Sequence, residues 1–334
     1  MFLLSLTFVA LSVVIVVAAM FLAKFGDEIS ERTGLGGSIT GLVLLAGATS
    51  LPELSVGYSA VKLGAADLTA GGILGSSLAN LMILALIDLV SRRPGSILTR
   101  AAAAHGLSAT VGVLLAGIIL IGMLVDSPWT LLNVGPASWA VIGAYCLCAR
   151  LLFLDERESA KLLAEESTAE PGESKKNVRG AMVSIGGFAV AAAVIFFVAP
   201  RMATTADTLA EVTGLGRTFV GTLLLAVVTS LPEAVSSIAA VRLGAADMAI
   251  ANIFGSNAFN MLILASLDAS TTDSLLQVVS GTHAITAAAA IVVTAVGLLT
   301  LLYRPRKRYW LIEPDAALIA LLVLGALYLV YMAG

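Results

Sequence analysis

The apolar positions of this chain gather in blocks long enough to cross a bilayer as helices, and the polar positions crowd into the gaps between them. A helix needs about 20 apolar residues to traverse the hydrocarbon core. Ten blocks meet that requirement: 2 to 24, 36 to 61, 68 to 90, 99 to 125, 129 to 153, 180 to 200, 215 to 241, 248 to 268, 281 to 303 and 309 to 333. The pattern predicts an all-α polytopic membrane protein with ten transmembrane helices. The first block resembles a secretion signal in length, but it has no basic start or small-residue cleavage site. It also runs into Lys24, Asp27 and Glu28, so it reads as a retained span.

Part of the pattern occurs twice. Residues 41 to 90 align with residues 221 to 270 at a constant offset of 180 without a gap, and 24 of the 50 pairs are identical. One half of the chain therefore reads as a copy of the other. Each half holds five blocks, an odd number, so the second copy must enter the membrane from the opposite side. The expected fold is two inverted five-helix repeats, residues 1–153 and 180–334, with a substrate site near the midplane where the repeats meet. Residues 154–179, rich in Glu, Lys and Ser, read as a solvated cytoplasmic linker with at most one short helix around Ser159 to Glu166. Its acidic residues lack the ordered spacing of an EF-hand.

Composition agrees with the hydropathy. The chain is 59% hydrophobic and 12% charged, with a mean hydropathy of +0.99, whereas about a quarter of a soluble protein is charged. The net charge of -3 therefore carries no message about partners, and nothing suggests nucleic acid. What matters is where the cations fall. If odd-to-even connections share one side, that side holds every Lys and Arg except Lys62, Arg201 and Arg217, sixteen of nineteen. The positive-inside rule makes it cytoplasmic, which places both termini outside a multi-pass protein of the plasma membrane.

Against this apolar background the duplicated TSLPE motif stands out. In the second block Ala46, Thr49, Ser50 and Glu53 fall near one helical face, and in the seventh Ala226, Thr229, Ser230 and Glu233 repeat the arrangement. Pro52 and Pro232 have no amide hydrogen for the carbonyls of Ala48 and Val228, so the helix bends or unwinds there. Main-chain oxygens near Ala46 to Ala48 and Ala226 to Val228 become available. In lipid such carbonyls are tolerated only where protein, water or an ion satisfies them. The third and eighth blocks add Ser76 with Asn80 and Ser256 with Asn260, each pair four residues apart on one face. Gly75 and Gly255 permit close helix approach.

The resulting donor set is all oxygen, without thiol or imidazole, and suits hard cations such as calcium, sodium or, less readily, magnesium. A lone glutamate at mid-span can be a neutral hydrogen-bonding residue. Two in the same broken-helix setting argue for an ion site, because an ionised acid at mid-bilayer costs at least ~2.5 to 3.5 kcal/mol.

Other polar residues read as structural. Asp67 and Asp247 precede helices as N-caps, and Asp88 and Asp268 lie near span ends as interfacial residues. His105 and His283, near the starts of the fourth and ninth blocks, read as interfacial hydrogen bonders. Cys146 and Cys148 read as packing thiols. A hydrolase would need a nucleophile beside a positioned base, and neither histidine lies near the duplicated Ser and Glu, so no enzyme is expected.

TSLPE, GAAD and GSSLAN in the first half, matched by TSLPE, GAAD and GSNAFN in the second, resemble the two alpha repeats of the cation/calcium exchanger superfamily, most closely its prokaryotic sodium/calcium exchanger branch. The resemblance implies secondary active antiport, most simply of sodium against calcium, with no cofactor besides the transported ions. It further implies that Glu53 and Glu233 are shared carboxylates, that Thr49, Ser50, Thr229 and Ser230 supply hydroxyls, and that Ala46 and Ala226 supply carbonyls. Ser76, Asn80, Ser256 and Asn260 match the polar positions of the third and eighth spans, and the first and sixth spans match a sliding pair. Asn260 stands where some exchangers carry Asp, Ala48 and Val228 where a Gly often precedes the Thr, and Ser77 where Asn is usual. A proton-coupled antiporter of calcium or another cation is the alternative, and a cation channel a more distant one. The partners expected are inorganic cations and the lipid bilayer, and one chain contains every part the mechanism requires, so a monomer suffices.

Overall fold

The computed structural model describes residues 2–33, 47–90, 106–125, 127, 129–166, 178–242, 246–303 and 314–333. Within them the chain is helical, and the one extended pairing is the isolated bridge between Leu131 and Val134. The principal helices are α1 (Phe2–Thr33), α2 (Leu51–Lys62), α3 (Ala66–Val90), α4 (Gly106–Leu124), α5 (Pro136–Glu166) and α6 (Val178–Thr213). They continue with α7 (Arg217–Thr229), α8 (Leu231–Arg242), α9 (Ala246–Leu267), α10 (Thr282–Tyr303) and α11 (Pro314–Ala333).

Seven of the described helices are long and apolar enough to cross a membrane, and the bent pair α7 and α8 makes an eighth span. Of the other two blocks, α2 is the described end of the second, and Pro136–Leu152 within α5 is apolar but short. The protein is an all-helical, multi-pass membrane protein. Helix α5 continues through residues 154–166, so the polar stretch after the fifth block begins inside a helix.

Burial sorts the helices into an inner and an outer set. The apolar windows of α3 and α9 are each 78% buried, whereas those of α1, α6 and α11 are 28%, 22% and 28%. Helices α3 and α9 are also partners in the sequence repeat, and they pack on each other. Outside them, α1 lies along α6 in the most extensive helix pair of the molecule, with Val9, Val13, Val17 and Phe21 turned outward as a lipid-facing helix requires. One end of this pair is tied by Arg32, which pairs with Glu28 at 3.2 Å and donates to the Gly180 carbonyl and the Ser184 hydroxyl.

The breaks recur in both copies. Helix α2 starts after Ser50 (φ -88°, ψ 6°), and α8 starts after Ser230 (φ -85°, ψ -1°), each with proline as its second residue. This backbone region is sparsely populated and common in functional sites. At the second break α7 and α8 bend by 42°, as the missing amide of Pro232 leads one to expect. Just before it, Gly221–Leu225 forms a π-helical turn, a feature that concentrates at functional sites.

Helix α7 can sit so close to α3 because glycines face each other. A Cβ on Gly71 would lie 2.8 Å from the Thr218 carbonyl oxygen, one on Gly75 2.4 Å from the Thr222 carbonyl oxygen, and one on Gly221 2.7 Å from the Leu68 carbonyl oxygen. Gly71 and Gly75 form a G-x-x-x-G pair, which lets membrane helices touch through their backbones.

Candidate cation site

Close contact between α3 and α7 brings residues from the two sequence copies together. Ser76 Oγ of α3 lies 3.0 Å from Thr229 Oγ1 and 3.4 Å from the Ala226 carbonyl oxygen. Ser230 Oγ reaches back to the Ser76 carbonyl at 3.5 Å. Thr229 Oγ1 also contacts the Leu225 carbonyl at 3.1 Å, one of the main-chain oxygens beside the π turn. The stripe predicted for the seventh block thus faces the third.

The glutamates complete a crossed arrangement. The hydroxyls of Thr229 and Ser76 stand against the Glu53 carboxylate, and the hydroxyl of Thr49 stands against that of Glu233. The two carboxylates are also within electrostatic reach of each other. Each acid therefore meets a threonine of the opposite copy. Glu53 is 3% exposed and Glu233 is fully buried, as are Ser50, Ser76 and Ser230.

Several buried oxygens on the helices that carry these residues have no hydrogen bond of good geometry. All four carboxylate oxygens, the hydroxyls of Ser50 and Ser256, and the amide oxygens of Asn80 and Asn260 are buried without a hydrogen-bond partner. Buried polar atoms are paired in the large majority of cases. These eight oxygens all belong to residues the sequence singles out. Among the described residues no three of His, Cys, Asp and Glu gather in one place, so the acidic groups of this cluster are the two carboxylates.

Ser50, Ser256 and Asn260 are buried on the helices that carry the cluster, but no hydrogen bond ties them to the two acids. Ala46 lies outside the described residues, as does His105. A small cavity opens beside Glu53, lined by Val56, Gly57, Thr69, Gly72 and Thr229.

Several polar residues differ from their sequence reading. Asp67 does not cap its own helix: its carboxylate accepts from the Ser280 amide at 2.6 Å and lies 3.2 Å from His283 Nε2, tying the start of α3 to the segment before α10. The N-terminal amides of α3 bond instead to the Ala65 carbonyl. His283 does make a hydrogen bond, and it is fully buried within the protein. Asp268 is also fully buried and accepts from the amides of Gly135, at 2.7 Å, and Leu275. Its place at a span end hides its use as a staple between two connections. Asn257, Asn252 and the glycines 71 and 221 were not singled out by the sequence. Asn257 differs from its repeat partner Ser77, and that difference is the one signal that marked it.

Fold and site together define a helical membrane protein whose interior holds two buried acids among buried hydroxyl and amide groups. Residues 3–154 and 183–334 match the family model described as sodium/calcium exchanger protein, and the chain belongs to that family of the cation/calcium exchanger superfamily. The inner membrane protein YrbG of Escherichia coli (strain K12) is 32% identical over 250 residues, 73% of each chain. The H+/Ca2+ exchanger CAX has a similar fold, with a TM-score of 0.73 at 14% identity over 98% of this chain and 85% of that one. The sodium-calcium exchanger NCX_Mj does so with a TM-score of 0.61 at 16% identity, over 98% and 99%.

Proposed function

We propose that this protein is a secondary active antiporter that exchanges sodium for calcium by alternating access. The observation that carries the reading is the crossed cluster, in which two buried acids, Glu53 and Glu233, each face a hydroxyl of the opposite copy. Two carboxylates match one divalent ion in charge. The hydroxyls of Thr49, Ser50, Thr229 and Ser230, the carbonyls of Ala46 and Ala226, and the polar groups of Ser76, Asn80, Ser256 and Asn260 make up the neutral part of the ligand set.

In this reading ten transmembrane helices form two inverted repeats, residues 1–153 and 180–334, joined by a cytoplasmic linker at 154–179. Both termini lie outside the plasma membrane, and a single chain suffices for transport. Helices α1 and α6, packed as a pair at the rim, slide against the inner helices to expose the site to either side. Calcium and sodium compete for the same two acids, so one ion must leave before the other is carried. Empty acids would have to cross the apolar barrier uncompensated, at a cost of at least ~2.5 to 3.5 kcal/mol each, and this suppresses leak.

The test is radiolabelled calcium uptake into sodium-loaded proteoliposomes, diluted into sodium-free or sodium-containing buffer, with Glu53→Gln and Glu233→Gln alongside. Uptake that requires the outward sodium gradient and is lost in both variants is the expected result. Uptake driven only by a pH gradient would assign proton coupling instead. Folded variants that exchange at the wild-type rate would remove the two glutamates from the site.

A further inference from the structure

The orientation of Asn80 is set by a chain of hydrogen bonds. Its Nδ2 donates to Asn257 Oδ1 at 3.0 Å, and Asn257 Nδ2 donates to the main-chain carbonyl of Ser77 at 3.2 Å. The polarity of this chain follows from its last member. A main-chain carbonyl can only accept, so Asn257 must turn its NH2 toward Ser77 and its oxygen toward Asn80. Asn80 must then offer its own NH2 to Asn257, which points its oxygen the other way. That oxygen is buried and has no hydrogen-bond partner.

We infer that Asn257 is a positioning residue that fixes the Asn80 amide with its oxygen, rather than its NH2, turned toward the transported cation. The inference rests on the cation site proposed above. An amide turned over by 180° has nearly the same shape but places two N–H dipoles against a positive charge. Asn257 lies on α9 and Asn80 on α3, so the relay works across the contact between the two inner helices. Asn80 is one helical turn from Ser76, on the same face, and Ser76 stands against Glu53. The relay exists in one direction only. At the repeat-related position Ser77 is too short to reach across, and its hydroxyl turns back to the Ile73 carbonyl of its own helix at 3.5 Å.

The test is calcium titration of the purified full chain in detergent, which needs no assumption about the counter-ion, with thermal unfolding measured alongside. Asn80→Ala should weaken calcium binding by about tenfold, as expected for one neutral group bonded to a charge. Asn257→Ala should weaken it by about three- to tenfold, since the amide keeps both orientations. The double variant should bind as Asn80→Ala does, because a residue acting through Asn80 has nothing left to orient. Asn257→Ser, the residue its repeat partner already carries, is the milder variant should Ala unfold the protein, and the same outcome is expected. Wild-type binding in a folded Asn257 variant overturns the inference, and so does a double variant whose loss is the product of the single losses. Glu53→Gln separates the levels. If it binds calcium as the wild type does, the site itself is wrong and the relay falls with it. If it loses binding while Asn257→Ala does not, the relay alone fails.

Discussion

Replacing Gly75 with Ala tests whether the α3–α7 contact assembles the site. The added Cβ would lie 2.4 Å from the Thr222 carbonyl oxygen, 2.7 Å from Thr222 Cα and 2.8 Å from Ala226 Cβ. Non-bonded carbon contacts settle at about 3.5–4.0 Å, so the helices must part by roughly 1 Å at this point. Two of the three atoms are backbone and cannot rotate aside. Overpacking of this kind costs about 1–3 kcal/mol. The next residue is Ser76, whose 3.0 Å contact with Thr229 would stretch beyond hydrogen-bonding range, adding about 1 kcal/mol. The expected loss is about 2–4 kcal/mol in unfolding free energy, with weaker calcium binding although no ligand has changed. The control is Gly325→Ala, an exposed position on α11 where a Cβ meets nothing within 4 Å. There the better helix propensity should leave stability unchanged or raise it by about 0.5–1 kcal/mol. Denaturant unfolding in detergent and calcium titration of both variants decide the matter. If Gly75→Ala stays within about 0.5 kcal/mol of wild type and binds calcium equally well, the argument from close approach is wrong.

Two other substitutions probe different parts of the frame. Asp268→Ala leaves the buried amides of Gly135 and Leu275 without their acceptor and should cost about 2–4 kcal/mol, read as a lower unfolding midpoint. An unchanged midpoint would show that the two connections hold without it. Pro232→Ala restores the amide hydrogen and removes the ring at the second break. Stability should hold or rise while sodium-driven calcium uptake falls, because the 42° bend is relaxed. Full uptake in that variant would remove the proline from the mechanism.

The membrane made part of this site legible. In a chain with 12% charged residues, a glutamate inside an apolar block is conspicuous, since lipid penalises it wherever no function retains it. The repeat then marked the same position twice. Helical spacing alone put Thr49, Ser50 and Glu53 on one stripe, and the structure finds all three buried. What spacing cannot give is the partner across the interface. That Glu53 meets Thr229 rather than Thr49 depends on glycines at 71, 75 and 221 letting α3 and α7 touch. A G-x-x-x-G pair in a sequence says that something packs closely, not what. Asp67 and Asp268 hid part of their use for a related reason: Ser280 and Gly135 lie 213 and 133 residues away from them, beyond the reach of local rules.

Differences between the copies carry information that their identities do not. Beyond Glu53, the first copy continues with Val56, Gly57 and, on α3, Gly72, and these line the small cavity beside the acid. The repeat-related residues of the second copy are Ser236, Ser237 and Asn252. There Asn252 Nδ2 donates to both serine hydroxyls, at 3.1 and 3.2 Å, and Ser236 donates to the Glu233 carbonyl at 3.1 Å. The surroundings of the two repeat-related acids thus differ at these three positions, two serines and an asparagine joined by hydrogen bonds in the second copy replacing a valine and two glycines in the first. The hydroxyl and amide dipoles at these positions of the second copy have no counterpart in the side chains of Val56, Gly57 and Gly72, although Thr69 and Thr229 also line the cavity beside Glu53. The duplication thus keeps the two acids and their Thr and Ser neighbours alike while the residues around them diverge, so the two copies need not act alike in the antiport proposed above.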